Sequence, residues 1–134
     1  MVQNVYLHAE VTEKIIGAFY KVYNTLNYGF LEKVYEKAMM IELKKMGLNA
    51  HRQLPIKVYY EGEVVGDYKA DIIVVEKVIV ELKAADMLRL KDEAQLINYL
   101  RATEIEVGLL LNFGVKAELK RKIFTNDKKP ALLR

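Results

Sequence analysis

Two stretches of this chain are apolar at almost every position: Val78-Ile79-Val80-Glu81-Leu82 and Val107-Gly108-Leu109-Leu110-Leu111. Side chains alternate between faces along a strand, so a strand that is apolar at both parities needs cover on both sides. Between the two, from about Met87 to Ala102, the apolar residues return at helical spacing, with Leu90, Ala94, Ile97 and Leu100 roughly aligned. A strand that follows a crossover helix usually joins the same sheet in parallel. These segments alone call for a mixed α/β sheet flanked by helices.

The remaining segments fit around that core. Val11, Ile15, Ala18, Phe19, Val22, Tyr23 and Leu26 mark a helix over roughly 9–27, broken at Asn27-Tyr28-Gly29. A second helix is expected over 30–46, with Leu31, Val34, Tyr35, Ala38, Met39 and Leu43 facing inward and Gly47 at its end. From Leu54 to Tyr60 the period changes to two, Glu61-Gly62-Glu63 reads as a turn, and Val64–Val75 is rich in β-formers. With Val78–Lys83 these strands make an antiparallel meander. Lys120–Phe124 is a candidate edge strand whose lysines discourage stray pairing. The order is α, α, β, β, β, α, β with a last β, read as one domain over 1–134.

Composition narrows the chemistry. A chain without Cys has no disulfide framework, thiol nucleophile or thiolate metal site. Glu10, Glu13, Lys14 and Lys21 interrupt any leader-like apolar run, and no apolar stretch approaches the ~20 residues of a membrane span, so the expected location is the cytoplasm. His8 and His51 are too few and too scattered for a histidine-based site, and no Gly-rich phosphate loop is present. Tyr59, Tyr60 and Tyr68 fall on strands, where core or interface packing explains them better than base stacking. The net charge of +3 excludes a protein that grips nucleic acid by bulk charge alone. That charge is uneven: residues 114–134 hold seven basic against two acidic residues, so the tail carries +5 and the rest −2.

Chemistry concentrates in Tyr68-Lys69-Ala70-Asp71 and, further on, Val80-Glu81-Leu82-Lys83. Glu81 and Lys83 are two apart on a strand and leave the same face. Two acids on neighbouring strands beside a lysine form a hard-oxygen site suited to Mg²⁺ or Mn²⁺. An ordinary exposed ion pair is the competing explanation, weakened by the apolar surroundings of a buried strand. Register supplies a condition. A two-residue loop at Glu76-Lys77 would pair Asp71 with Leu82 and turn it away from Glu81. Shared use of the two acids therefore requires an odd-length loop, a bulge, or an Asp71 beyond the regular ladder.

Three motifs, in order, resemble a known family. Asp71…Glu81-Leu82-Lys83 resembles the Asp…(Asp/Glu)-x-Lys signature of the PD-(D/E)XK nuclease superfamily. Gly29-Phe30-Leu31-Glu32-Lys33-Val34-Tyr35 resembles the Gly-x-x-Glu-x-x-Tyr motif of the GxxExxY proteins, and Gln95-Leu96-Ile97-Asn98-Tyr99 the Gln-x-x-x-Tyr motif of RecB-type exonucleases. The likeness runs from Gly29 to Ile123; the one departure is Ala70 where the signature has Pro. It implies a restriction-endonuclease-like core, α-β-β-β-α-β, with an extra N-terminal helix. It also implies hydrolysis of phosphodiester bonds in nucleic acid, DNA before RNA, at a Mg²⁺ or Mn²⁺ site.

In that scheme Asp71 and Glu81 are metal ligands, with the Leu82 carbonyl as a third oxygen and Glu32 reaching the metal directly or through water. Lys83 orients the attacking water or offsets phosphoryl charge. Gln95 and Tyr99 order Lys83, the water or a phosphate, while Tyr35 packs beneath the site or donates its hydroxyl to an acid. Lys91 and Arg101 are placed to meet the nucleic-acid backbone. Three acids gathered on a cation would no longer repel a polyanion, which makes the basic tail a candidate backbone contact. Without an appended reader element, cutting would be directed by structure, by ends or by a targeting partner. Two alternatives stay open: a catalytically weak nucleic-acid- or partner-binding protein on the same fold, and a homodimeric resolvase of branched DNA.

Overall fold

The computed structural model describes residues 7–129, and Arg134 of the basic tail lies outside them. Helices α1 (Ala9–Leu26) and α2 (Glu32–Lys45) precede β1 (Ala50–Tyr60), β2 (Glu63–Val74) and β3 (Val78–Lys83). Then come α3 (Leu90–Arg101), β4 (Val107–Phe113) and β5 (Ala117–Ile123). The five strands form one mixed sheet in sequential order, parallel only between β3 and β4 and antiparallel elsewhere. The α/β order read from the sequence is the order observed, with an N-terminal helix added to the α-β-β-β-α-β core. No helix among the described residues is long and apolar enough to cross a membrane.

The double-sided strands separate two cores. Val78, Val80 and Leu82 of β3 pack with Val107, Leu109 and Leu111 of β4 beneath α1 and α2. Ile79 and Leu110 point the other way, into a smaller cluster with Leu96, Tyr99 and Leu100 of α3. Phe113 at the end of β4 ties the first layer together, stacked on Tyr35 at 4.1 Å and edge-on to Phe19 at 5.0 Å.

Departures from the expected faces cluster at element ends. Leu31 is 81% exposed and Val34 is exposed as well, while Glu36 is buried with Tyr35, Met39 and Leu43 on the inner face of α2. In α3 the inward residues are Asp92, Leu96, Tyr99 and Leu100, and Leu90 at the first helical position projects into solvent. Leu96 sits inward because Gly108 leaves room for it. A Cβ on Gly108 would lie 2.6 Å from one Leu96 methyl and 3.0 Å from its Cγ. Tyr60 and Tyr68 are exposed rather than core residues.

The loop between β2 and β3 holds three residues, Val75-Glu76-Lys77, since Val74 pairs with Val78. Val75 and Glu76 both adopt positive φ, 46° and 57°. For a β-branched valine this is a strained backbone, costing about 1–3 kcal/mol. The Val75 N–H donates to the Asn49 carbonyl at 2.7 Å, which helps hold the turn.

Gly108→Ala is expected to destabilise the protein by about 1–3 kcal/mol through overpacking against Leu96. Urea denaturation measures it; an unchanged midpoint would show that Leu96 is free to move aside.

Candidate functional site

The odd loop length puts Asp71 opposite Glu81 in the continued register, but the ladder ends one pair earlier, at Ile72 and Val80. Beyond that point the carboxylates replace backbone acceptors. The Asp71 N–H donates to Glu81 Oε2 at 2.7 Å, and the Leu82 N–H donates to Asp71 Oδ2 at 2.7 Å. β2 and β3 thus divide into a fork whose two tips are acids, each with one carboxylate oxygen fixed by a neighbouring strand. The strand is locally twisted here as well. Ala70 packs in the α3 cluster and Ile72 in the α1/α2 cluster, so the two residues flanking Asp71 lie on opposite faces. In regular β-structure they would share one.

The opposing strand is irregular at the same level. Gln53, between the paired positions Arg52–Ile72 and Leu54–Ala70, has φ 57°. That kink lets consecutive residues reach one target: Arg52 Nε donates to Glu36 Oε1, and Gln53 Nε2 to Glu36 Oε2 at 3.1 Å. Glu36 is thereby buried with its charge answered. Glu32, one turn earlier on α2, is exposed.

Burial and neighbouring carboxylates dominate the electrostatics of the fork. Burial is the main cause raising the Asp71 pKa, opposed by the Leu82 N–H and reinforced by the Glu36 and Glu32 carboxylates. Glu81 is pushed up to about 8, first by burial and then by Asp71. Lys83 favours the charged form of both acids. Its ammonium lies 3.9 Å from Asp92 Oδ1, and Asp92 Oδ2 in turn accepts the Arg89 N–H at 3.0 Å at the start of α3. From the same helix Gln95 donates to the Tyr99 hydroxyl at 2.6 Å. The Tyr99 pKa is raised by burial and, less strongly, by the charges of Glu81 and Asp71.

The sequence-designated residues are therefore brought to one end of the sheet. Asp71 and Glu81 form the fork, Lys83 follows on β3, Gln95 and Tyr99 face it from α3, and Glu32 acts on it from α2. Tyr35 does not serve an acid. Its hydroxyl donates to the Asn27 carbonyl at 2.5 Å and accepts the Phe30 N–H at 3.2 Å, fixing the loop that leads into α2. Glu36 and Asp92 also stand at the site, although no motif names them. Both had a signal in spacing: Glu36 is four residues after Glu32, and Asp92 is three before Gln95, so each shares a helix face with a motif residue. The cations of the tail are partly committed to the fold. Lys122 pairs with Glu93 at 2.7 Å, Arg121 donates to the Leu7 carbonyl, and Lys129 donates to the carbonyls of Thr103 and Ile105.

No group of three or more His, Asp or Glu side chains among the described residues forms a ready-made metal cage. Mg²⁺ does not need one. It keeps several waters and is bound by one or two carboxylates together with substrate phosphates. A buried Glu81 and a half-buried Asp71 that raises its pKa, each with a second oxygen to offer, suit that mode.

A mixed sheet covered by helices on both faces, with an acid fork and a lysine at one end, is the restriction-endonuclease-like arrangement. The model of the PD-(D/E)XK nuclease superfamily matches residues 9–123, and the chain belongs to that superfamily. Among solved structures it is similar to the crystal structure of SSO0001, with a TM-score of 0.54 and 16% identity over 92% of this chain. At that identity the likeness is one of fold, and the matched region is 63% of the SSO0001 chain. No curated protein matches the chain.

In metal-free buffer the folded protein keeps a proton on Glu81 that the unfolded chain has released, between the ordinary 4.5 and about 8. Stability is thus expected to fall as pH rises through that window. Glu81→Gln retains an oxygen acceptor for the Asp71 N–H and removes the buried charge. It should raise the melting midpoint at pH 8 by several degrees, about 3–6 °C per kcal/mol for a chain of this size, and flatten the pH dependence. A lower midpoint for the variant across the range would contradict the electrostatic account.

Proposed function

We propose that the chain is a divalent-metal-dependent nuclease of the GxxExxY kind, one domain over residues 1–134, hydrolysing phosphodiester bonds of DNA in preference to RNA. The observation that carries this is the fork: a half-buried Asp71 and a buried Glu81 on diverging strands, each bonded to the other strand's backbone, with Lys83 two residues beyond Glu81 on the same face. Asp71 and Glu81 would hold Mg²⁺ or Mn²⁺, with Glu32 contributing through water. Such a cation, when bound, polarises a phosphoryl oxygen and makes water nucleophilic near neutral pH.

The chain's own groups do the rest. The backbone bonds to Asp71 and Glu81 hold one oxygen of each carboxylate still, so their geometry is set before substrate arrives. Lys83 offsets negative charge that builds on the phosphoryl group, and Asp92 restrains it from α3. The Gln95–Tyr99 hydrogen bond fixes a phenol beside the acids, where it orients a phosphate oxygen or the attacking water. Glu32, at the exposed start of α2, sits where a solvent-linked acid can take up the proton released by that water.

One feature favours a second reading, a nucleic-acid-binding protein without useful catalysis. The carboxylate within ion-pair distance of Lys83 is that of Asp92 rather than one of the fork. Cleavage of labelled single- and double-stranded DNA and RNA separates the two. The expected result is turnover with Mg²⁺ or Mn²⁺, none with EDTA, and a drop of about 10²–10³-fold or more for Glu81→Ala and for Lys83→Ala with binding retained. Wild-type protein that binds every form and cuts none would establish the second reading. Cleavage by Glu81→Ala at the wild-type rate would remove the metal site from the mechanism.

A further inference from the structure

Beside the fork, between α3 and the β1–β2 hairpin, lies a pocket of about 470 Å³. Its volume is within the range of small-molecule sites. One wall is aromatic: Tyr68 is 48% exposed, and its ring centroid lies 5.9 Å from that of Tyr99 at a tilt of 49°. The opposite wall brings two side-chain amides, Gln95 and Asn98, and two cations, Lys91 and Arg101. Gln95 uses an amide N–H on Tyr99, and Asn98 uses its carbonyl on Arg101 at 3.4 Å, so each amide keeps a second polar end for a ligand.

The exposed ring is held in place. An added Cβ on Gly66 would lie 2.8 Å from Cε2 of Tyr68 and 3.3 Å from Cβ of Val58. One edge of the ring therefore lies over a position with no side chain on the strand that carries it, and the ring also lines the pocket. A half-exposed tyrosine fixed in this way costs little additional entropy when something flat is laid on it. Tyr99 joins this pocket to the acids, since its hydroxyl feels the charges of Glu81 and Asp71.

We propose that this pocket receives a nucleobase unstacked from the strand being cut, so that the protein prefers single-stranded or frayed DNA to blunt duplex. An apolar surface of Tyr68, Tyr99, Val58 and Ala94, with amide donors and acceptors and two cations among the lining residues, matches the flat face, edge and phosphate of a nucleotide. Stacking on Tyr68 is tolerant of sequence, because every base has a π-face. Bases in a closed duplex are stacked on each other and cannot enter. The inference rests on the nuclease reading but concerns binding, so it is tested without turnover.

The test uses the whole chain in EDTA, with fluorescence anisotropy of labelled oligo(dT) and of a blunt duplex of equal length. Wild type is expected to bind oligo(dT) more tightly than the duplex, and Tyr68→Ala to lose at least about five-fold on oligo(dT) with little change on the duplex. Tyr68→Trp should retain binding. Because the chain has no tryptophan, that variant also carries a single reporter, whose emission should be quenched by oligo(dT). Equal losses on both DNAs, an unchanged Tyr68→Ala affinity, or binding without quenching would overturn the pocket assignment. A protein that cuts DNA but shows any of these keeps its nuclease function and loses this pocket. One that shows the Tyr68 dependence without cutting keeps the pocket and loses the nuclease function.

Discussion

Where β2 and β3 separate, two hydrogen bonds that a sheet would make between backbones are made instead by the carboxylates of Asp71 and Glu81. This substitution fixes the placement of the site. It holds two carboxyl groups side by side at the edge of an apolar core, where burial and the neighbouring Asp71 charge disfavour the charged form of Glu81. The sheet tolerates the cost because everything around the fork is rigid. β3 is flanked by β2 and β4 and covered by helices on both faces, and the three-residue turn with its strained Val75 prevents the register from slipping by one.

The helices do different work on the two sides. α2 brings Glu32 to the rim and buries Glu36, whose charge is met by Arg52 and Gln53 from the kink in β1. The Tyr35–Phe113 stack and the Tyr35 hydroxyl set the start of that helix. α3 is seated by Leu96 over Gly108 and presents Asp92, Gln95 and Tyr99 along one face. The connection between Lys83 and α3 is pinned by buried Asn112, whose amide bonds both the N–H and the carbonyl of Ala85 and also Glu118. Glu118 in turn accepts the Leu88 N–H. Position at the fork thus depends on polar contacts from β1, β4 and β5 as well as on the strands that carry the acids.

Periodicity was enough to read the elements, because β3 and β4 are apolar at both parities and the helices carry clear stripes. The acids, the lysine and the Gln–Tyr pair were legible as motifs. Other features were not, for specific reasons. Leu31 and Val34 lie at the start of α2 and are exposed there, while Glu36 is buried by partners that come from a strand kink no periodicity shows. Val75 has every propensity for a strand and sits in the turn, where the Asn49 carbonyl rewards its N–H. Tyr68 looked like a packing residue because its alternation is that of a strand, yet β2 runs past β3 here and leaves it open. The modest net charge concealed a basic tail, several of whose cations turn out to be committed to the fold.

The central claim is that the Asp71–Glu81 fork is a divalent-cation site. A crystal of the wild-type chain soaked in Mn²⁺ tests it most directly, by anomalous scattering. The expected result is a single strong peak between the two carboxylates, absent from Glu81→Gln crystals soaked in the same way. Strong peaks elsewhere with none at the fork, or a fork peak that survives Glu81→Gln at full height, would contradict it.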